Sequence, residues 1–339
     1  MALLKENQTI LSKPLMSVLV LEPLEADVLE WLAERHAVQV APEPADAPLT
    51  LREHVAQAQA IFLPASIALD ADTVRRAPRL RAVGRIGAGA ENIDLEACRA
   101  ANVEVVRAPT AAASAEAEFV IGALLALLRR VPVQGADGNW VGRELGCATI
   151  GLVGLTPSAR QLATLLPVFG ARVIGYDPSL HHADPLWAQW GIEPYGLREL
   201  MQAADGVSVQ LAYFPRYRGL IGERVLNFCK PAQVLVSTSH SALFDEQALA
   251  DALHGGRLLA AWLDLMEPGL MEAGRPLQGA PGLQVTPRVA ATTRESRMRA
   301  AWSVARRISE ILSTPAAQAE FRPTHPGVLP DLLAEPRWR

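Results

Sequence analysis

The chain has 339 residues, enough for about two domains, and half of them are hydrophobic. A net charge of −4 gives no basic footprint for nucleic acid, and three scattered cysteines, Cys98, Cys147 and Cys229, make neither a disulfide framework nor a metal-ligand spacing, which fits a reducing, cytoplasmic setting. Residues 1–14 lack the apolar core of a secretory signal, and the longest apolar run, 119–128, is too short to span a bilayer, so no membrane partner is expected.

From the N-terminus, short apolar runs alternate with helical patterns. Strands are predicted at 17–21, 38–40, 60–63, 81–86 and 103–106, and helices at 26–36, 51–59, 71–77 and 94–101. Helices placed between strands imply a parallel sheet covered on both faces. This first unit ends near Ala108-Pro109. A long helix follows at 111–130, and its middle is apolar on every side. Such a helix needs burial all round, either between two domains or in a dimer interface.

A second series then begins. Strands are predicted at 148–153, 171–176, 207–211, 233–236, 258–265 and 283–285, and helices at 161–169, 197–204, 220–228 and 245–253. Gly255-Gly256 stops the last of these helices. A final long helix, 294–312, is expected to return to the first unit. From Ser313 the chain is rich in proline and is expected to drape over the surface, with Phe321 and Trp338 as anchors. The fold class is therefore α/β, with two doubly wound domains.

The junction at 151–160 reads Gly-Leu-Val-Gly-Leu-Thr-Pro-Ser-Ala-Arg, between a strand and a helix. A dinucleotide fold turns beneath its pyrophosphate at such a junction, with the fingerprint G-x-G-x-x-G/A. Gly154 fills the first position and Ala159 the third, with Gly151 just upstream. Thr156 stands at the second, where a missing Cβ ordinarily lets the backbone approach the phosphates, and Pro157 removes an N–H donor. Thr156 also suits an N-cap with Pro157 in the first helical position, and Ser158 or Arg160 can reach a phosphate. The turn thus predicts weakened rather than abolished binding. Asp177 closes the next strand at the spacing of a ribose-binding acid; it favours NAD over NADP because it would repel a 2′-phosphate.

Gly87, Ala88 and Gly89 lie in a Gly-rich loop after a strand. Such a loop either presents backbone N–H groups to a carboxylate or is simply a tight βα turn. Ser239 and His240 follow a strand of the second series, at the sheet edge where ligands bind, although a lone histidine at a strand end is more often a solvated or satisfied side chain. Asp264 ends an apolar run and needs a partner if buried, Glu267 lies just beyond it, and Arg288 follows Thr286-Pro287. There is no nucleophile elbow, phosphate-binding P-loop or zinc helix motif, His181-His182 reads as a polar loop, and no metal is expected.

In order and spacing these segments resemble the D-isomer-specific 2-hydroxyacid dehydrogenases of the phosphoglycerate dehydrogenase-like group. The segments are 83–94, the turn at 151–160, Tyr176-Asp-Pro178, 230–239, 244–249, Leu263-Asp264 and Val285-Thr-Pro287, and the likeness runs from about Val18 to about Leu329. The resemblance implies a flavodoxin-like substrate domain made of 1–108 and 292–339, with a Rossmann NAD-binding domain, 109–291, inserted in it. It further implies a homodimer formed through the NAD-binding domain, a small 2-hydroxy or 2-oxo acid as substrate, Gly89 near the substrate carboxylate and Asp264 near the nicotinamide.

The catalytic positions depart from the family. Its substrate-binding Arg follows Asn-Thr-Ala, where this chain has Ser237-Thr-Ser-His240; its acid/base His follows Thr-Pro, where this chain has Arg288; its orienting Glu matches Gly269, with Glu267 close by. Arginine stays protonated and cannot carry the proton, whereas histidine titrates near neutrality. One expectation is a role exchange, Arg288 holding the carboxylate and His240 shuttling the proton. The alternatives are an impaired NAD-binding protein with a regulatory or partner role, and an enzyme with different chemistry on the same scaffold.

Overall fold

A computed structural model describes residues 17–41, 48–87, 89–90, 92–130, 133–134, 136–264 and 269–314. Ala88, Glu267, Phe321 and Trp338 lie outside the described residues. The chain divides into two compact units, Met1–Ala108 with Ala301–Arg339, and Pro109–Ala300.

In the first unit the chain runs β1 (Val18–Val20), α1 (Ala26–Ala33), β2 (Val38–Val40), α2 (Pro48–Gln57), β3 (Ala60–Phe62), α3 (Ala71–Arg75), β4 (Ala82–Arg85), α4 (Leu95–Ala100) and β5 (Glu104–Arg107). The strands form one parallel sheet in the order β2-β1-β3-β4-β5. β1 and β3 are buried throughout, as the apolar runs require. Helix starts follow their caps: Asp70 accepts from the Thr73 N–H at 2.8 Å and Asp94 from the Ala97 N–H at 2.9 Å.

The second unit opens with α5 (Ala113–Arg130) and a short hairpin, β6 (Val133–Gln134) and β7 (Trp140–Val141). It continues with β8 (Thr149–Val153), α6 (Pro157–Leu165), β9 (Arg172–Tyr176), α7 (Pro185–Gln189), β10 (Glu193–Pro194), α8 (Leu197–Ala203) and β11 (Gly206–Val209). After these come α9 (Glu223–Leu226), β12 (Gln233–Ser237), α10 (Glu246–His254), β13 (Leu258–Asp264), β14 (Leu283–Thr286) and α11 (Arg294–Ser313). The parallel sheet has the order β10-β9-β8-β11-β12-β13-β14. From β8 the chain winds outward to β9 and β10, then returns to β11 on the other side. The crevice at the carboxyl ends of β8 and β11 is therefore the topological switch point, where open α/β sheets bind ligands.

From residue 301, α11 belongs to the first unit. Arg307 holds Glu104 with bonds of 2.8 and 2.9 Å, Ser309 Oγ meets His36 Nε2 at 2.8 Å, and Trp302 packs edge-on against Trp31.

One predicted element changes and two features add to the prediction. The helix at 220–228 shrinks to α9, because Ile221 is drawn into a bridge with Phe244 and Gly222 caps the helix only afterwards. The 185–189 helix and β10 carried no apolar period, although Asp184-Pro185 is a helix-start signal, with Asp184 accepting from the Leu186 N–H at 2.9 Å. Third, α5 is not enclosed on all sides by its own chain. Val120, Leu124 and Leu127 are fully buried, but Glu118, Gly122, Leu125 and Arg129 form an exposed stripe, with Leu125 39% exposed.

Asp205 ties the sheet together. It is 4% exposed and accepts from the Thr149 N–H at 2.8 Å, Lys230 Nζ at 2.6 Å and Arg143 Nη2 at 2.6 Å. Burial alone would push its carboxyl up, but these donors outweigh it and hold the carboxyl below its ordinary value. The unfolded chain then takes up the proton at a higher pH than the folded one. This stabilisation is present above about pH 4 and is lost as the pH falls through the folded-state value. Asp205→Asn should flatten the acid limb of the stability–pH curve and cost ~2 kcal/mol at neutral pH, with Lys230 and Arg143 left partly solvated. Urea unfolding midpoints between about pH 3 and 7 check this.

Candidate active site

At the switch point β8 ends and Gly154 turns the chain with φ +89°. A Cβ there would stand 2.4 Å from Leu211 Cα and 2.5 Å from Leu211 N, so both the conformation and the close approach require glycine. The Gly154 N–H donates to Tyr176 O and the Gln210 N–H to Val153 O, each at 2.8 Å, which stitches β8 to both neighbours. Thr156 is the N-cap of α6, its hydroxyl accepting from the Ala159 N–H at 3.4 Å, with Pro157 in the first helical position. The helix thus begins at 157, earlier than its apolar pattern at 161 suggests, because cap and proline set the start.

Asp177 stands at the end of β9. Its Oδ2 accepts from the Leu155 N–H at 2.8 Å, and its Oδ1 from the Ser179 N–H at 2.8 Å and hydroxyl at 2.6 Å. The N–H groups of Leu155 and Ala159 are therefore already engaged, and Pro157 has none. Gly151 is not part of the turn. It lies mid-strand in β8, where a Cβ would meet Leu200 Cδ2 at 2.5 Å, so its role is to let α8 pack on the sheet; this corrects its assignment as a cofactor contact. Arg160 is likewise turned from the phosphate position, its guanidinium stacked 4.8 Å from the Trp190 ring centroid. Ser158 is 3% exposed, and its hydroxyl faces Thr156 Oγ1 at 3.0 Å rather than solvent.

Further along the same edge, Ser239 directs its hydroxyl at the carbonyls of Val209 (3.1 Å) and Leu211 (3.0 Å). It clamps the end of β11, and that demand on its one proton leaves its hydroxyl no proton to donate to a cofactor. His240 caps the following 3-10 turn, Nδ1 accepting from the Ala242 N–H at 3.1 Å, and its ring stacks on Tyr213 at 4.7 Å and 25°. With Nδ1 accepting, the ring's donor is the Nε2–H. Asp264, 4% exposed, has the partners its burial demands: Thr286 Oγ1 at 2.6 Å, the Val289 N–H at 2.9 Å and the Ala290 N–H at 2.8 Å. This carboxylate clasps the loop after β14 and, within it, Arg288, which is exposed and has φ +54°. His240 and Arg288 thus follow β12 and β14, and Asp264 ends β13, three neighbouring strands.

Gly87 and Gly89 lie after β4 in the first unit, where Arg85, 7% exposed, folds its guanidinium against Gly87.

Two site residues escaped the sequence reading. Gln210 follows β11, is 4% exposed, places Oε1 3.5 Å from Thr156 Oγ1, and has no partner for Nε2 among the described residues. Glu116, in the first turn of α5, is half-buried beside Ser158 and Asp264. Burial pushes its carboxyl up; the Ser158 hydroxyl works against this, and the neighbouring Asp264 charge adds to it. Helical spacing held the signal: Glu116 lies in register with buried Val120, Leu124 and Leu127.

The sequence pattern of the NAD binding domain of D-isomer specific 2-hydroxyacid dehydrogenases matches residues 121–290. The chain belongs to this family. Among relatives, a D-3-phosphoglycerate dehydrogenase of Mycobacterium bovis is 36% identical over 261 residues, covering 74% of this chain and 48% of that protein. An (S)-sulfolactate dehydrogenase of Chromohalobacter salexigens is 34% identical over 242 residues, covering 69% of this chain and 78% of that protein. A solved structure from Thermus thermophilus superposes with a TM-score of 0.72 at 29% identity, covering 88% of this chain and 97% of that one. The chain spans about half the length of the D-3-phosphoglycerate dehydrogenases it matches. Among the described residues no helix is long and apolar enough to cross a membrane.

Proposed function

We propose that the protein is an NAD-dependent oxidoreductase acting on a small 2-hydroxy or 2-oxo acid. The residues at the switch point fit a dinucleotide: a left-handed Gly154, a capped helix start, an acid at the end of β9, and a buried Gln210 amide whose nitrogen has no partner among the described residues. Asp177 favours NAD over NADP, and the engaged N–H groups of Leu155 and Ala159 support a weakened affinity. The exposed stripe of α5 supports a homodimer through this unit, and the cysteine usage supports a cytoplasmic setting.

NADH, when bound, supplies the hydride that reduces the carbonyl carbon, and the carbonyl oxygen takes a proton. Arg288 is the group that holds the substrate carboxylate, by a charge-assisted pair. The carbonyl oxygen is met by the His240 Nε2–H. The observation that carries this reading is the Asp264 clasp, which fixes an exposed Arg288 in a left-handed conformation at the ligand edge of the sheet. Arg288→Ala should raise KM for the reduced oxo acid ~30–100-fold, the equivalent of losing a hydrogen bond to a charged group, with kcat much less affected. An unchanged KM across a panel of 2-oxo acids, followed by NADH oxidation, would remove Arg288 from the site.

The Ala242–His240 bond also favours a second reading, a nucleotide-binding protein without turnover. Nδ1 already accepts a hydrogen bond, so giving up the Nε2 proton is unfavourable until that bond breaks. NADH binding without oxidation by any 2-oxo acid selects this reading.

A further inference from the structure

We propose that Tyr213 is a positioning residue for His240: its ring, stacked on the imidazole, sets the plane in which the Nε2–H meets the carbonyl oxygen of the 2-oxo acid. The inference rests on the reduction proposed above. The two rings lie close to parallel, with centroids 4.7 Å apart and planes at 25°. Both side chains are half-buried.

The stack is built on the ends of two paired strands. β11 and β12 run parallel, with Val209 opposite Ser237. Past that pair the two segments stay clamped. The Thr238 N–H donates to Val209 O at 3.2 Å, and the Ser239 hydroxyl reaches the carbonyls of Val209 and Leu211. His240 is the next residue on one side of the clamp, and Tyr213 lies two residues beyond it on the other. The loop that carries Tyr213 is fastened at its far end as well. The Gly219 N–H donates to Ala242 O and the Ile221 N–H to Leu243 O, each at 2.9 Å. Ala242 is also the residue whose N–H donates to His240 Nδ1. The short segment 238–243 therefore holds both ends of the Tyr213 loop and one edge of the His240 ring. Between those ends the loop closes on itself, with the Tyr217 N–H on Phe214 O at 2.8 Å and Arg216 lying over both of their rings.

The two contacts on the imidazole restrain different motions. The Nδ1 bond acts in the ring plane and decides which edge faces Ala242. It leaves the ring able to rock about the line of that bond. The stack opposes rocking, because a tilted imidazole lifts off the Tyr213 face. Together they fix the direction of the Nε2–H. A donor serves an oxygen on which negative charge develops when it is already aimed there before the reaction. The ring face supplies this restraint and the phenol hydroxyl does not. Phenylalanine should therefore replace Tyr213, and an aliphatic side chain should not.

Tyr213→Leu should lower kcat for NADH-dependent reduction of a 2-oxo acid on the order of 10–100-fold, the cost of a group misplaced by up to about 1 Å. KM for the oxo acid should stay close to wild type, because Arg288 holds the carboxylate. Tyr213→Phe should keep most of the wild-type kcat. On the remaining turnover of His240→Asn, Tyr213→Leu should cost nothing further, since residues that act as a unit are not additive. NMR of the ligand-free protein with isotope-labelled histidine gives a readout independent of turnover. The His240 Cε1–H resonance, assigned by its loss in His240→Asn, should move downfield in Tyr213→Leu as the ring current of Tyr213 is removed, and stay in place in Tyr213→Phe. An active wild type whose kcat is unchanged by Tyr213→Leu, an equal fractional loss in the His240→Asn background, or a His240 resonance that Tyr213→Leu does not move each overturns the role of Tyr213 and leaves the dehydrogenase reading standing. Absence of NADH oxidation by wild-type protein across a panel of 2-oxo acids overturns that reading and this inference with it.

Discussion

Gly154→Ala should abolish NADH binding and lower the thermal unfolding midpoint of the second unit by about 10 °C, at a few degrees per kcal/mol for a unit of this size. Two costs add. The left-handed conformation at φ +89° costs a residue with a Cβ ~1–2 kcal/mol. The new methyl also points at Leu211 N and Cα, backbone atoms that cannot rotate away, and overpacking of this kind costs ~1–3 kcal/mol. Together they take a large share of a typical total stability of ~5–15 kcal/mol. The only relief is to part β8 from the segment after β11, and that opens the switch point itself. Gly191 is the control: its φ is +65° but nothing lies within 4 Å of the Cβ position, so Gly191→Ala should cost only the conformational part. Scanning calorimetry with and without NADH checks both variants. If Gly154→Ala melted within a degree or two of Gly191→Ala and bound NADH normally, the turn would not be held as described.

That turn was legible in the sequence because its constraints are local. A glycine after an apolar run, a Thr-Pro pair and a small residue three positions on specify the turn, the cap and the first helical residue, and α6 begins where they place it. The alternation of strands and helices was legible for the same reason, each element carrying its own period. What failed to show was partnership across the chain. Asp264 plainly needed partners, yet nothing in the sequence says that they are backbone groups 25 and 26 residues away. Ser239 looked like a cofactor contact, but its hydroxyl is drawn to two carbonyls at the end of β11. Gly151 looked like part of the fingerprint, and it is the packing of Leu200 that requires it. Glu116 was hidden differently: Glu118 is solvated two residues on, and only the helical register separates the inward carboxylate from the outward one.

The other large effect is expected at Asp264. Asp264→Ala should destabilise the second unit by about 2–4 kcal/mol and reduce kcat/KM with a 2-oxo acid ~100-fold, while NADH affinity changes only a few-fold. The stability loss follows from the donors left behind. Ala290 is 2% exposed, so its N–H cannot turn to water, and a buried unsatisfied donor costs ~1–3 kcal/mol. Thr286 loses a 2.6 Å bond, whereas Val289, 42% exposed, can hydrate its N–H at smaller cost. The activity loss has a different origin. Arg288 holds a left-handed φ of +54° only because the clasp over-determines the loop around it, and such strain is worth ~1–3 kcal/mol once released. A relaxed loop moves the guanidinium by about 1 Å or more, and an error of that size costs ~100-fold in a positioned reaction. Asp264→Asn should fall between the two, since one carbonyl oxygen still accepts while the amide nitrogen opposes an N–H. Urea unfolding, NADH titration and steady-state kinetics on the same preparations separate the contributions. If the NADH dissociation constant rose ~100-fold while the urea midpoint stayed put, Asp264 would act on the cofactor directly and not through the loop that carries Arg288.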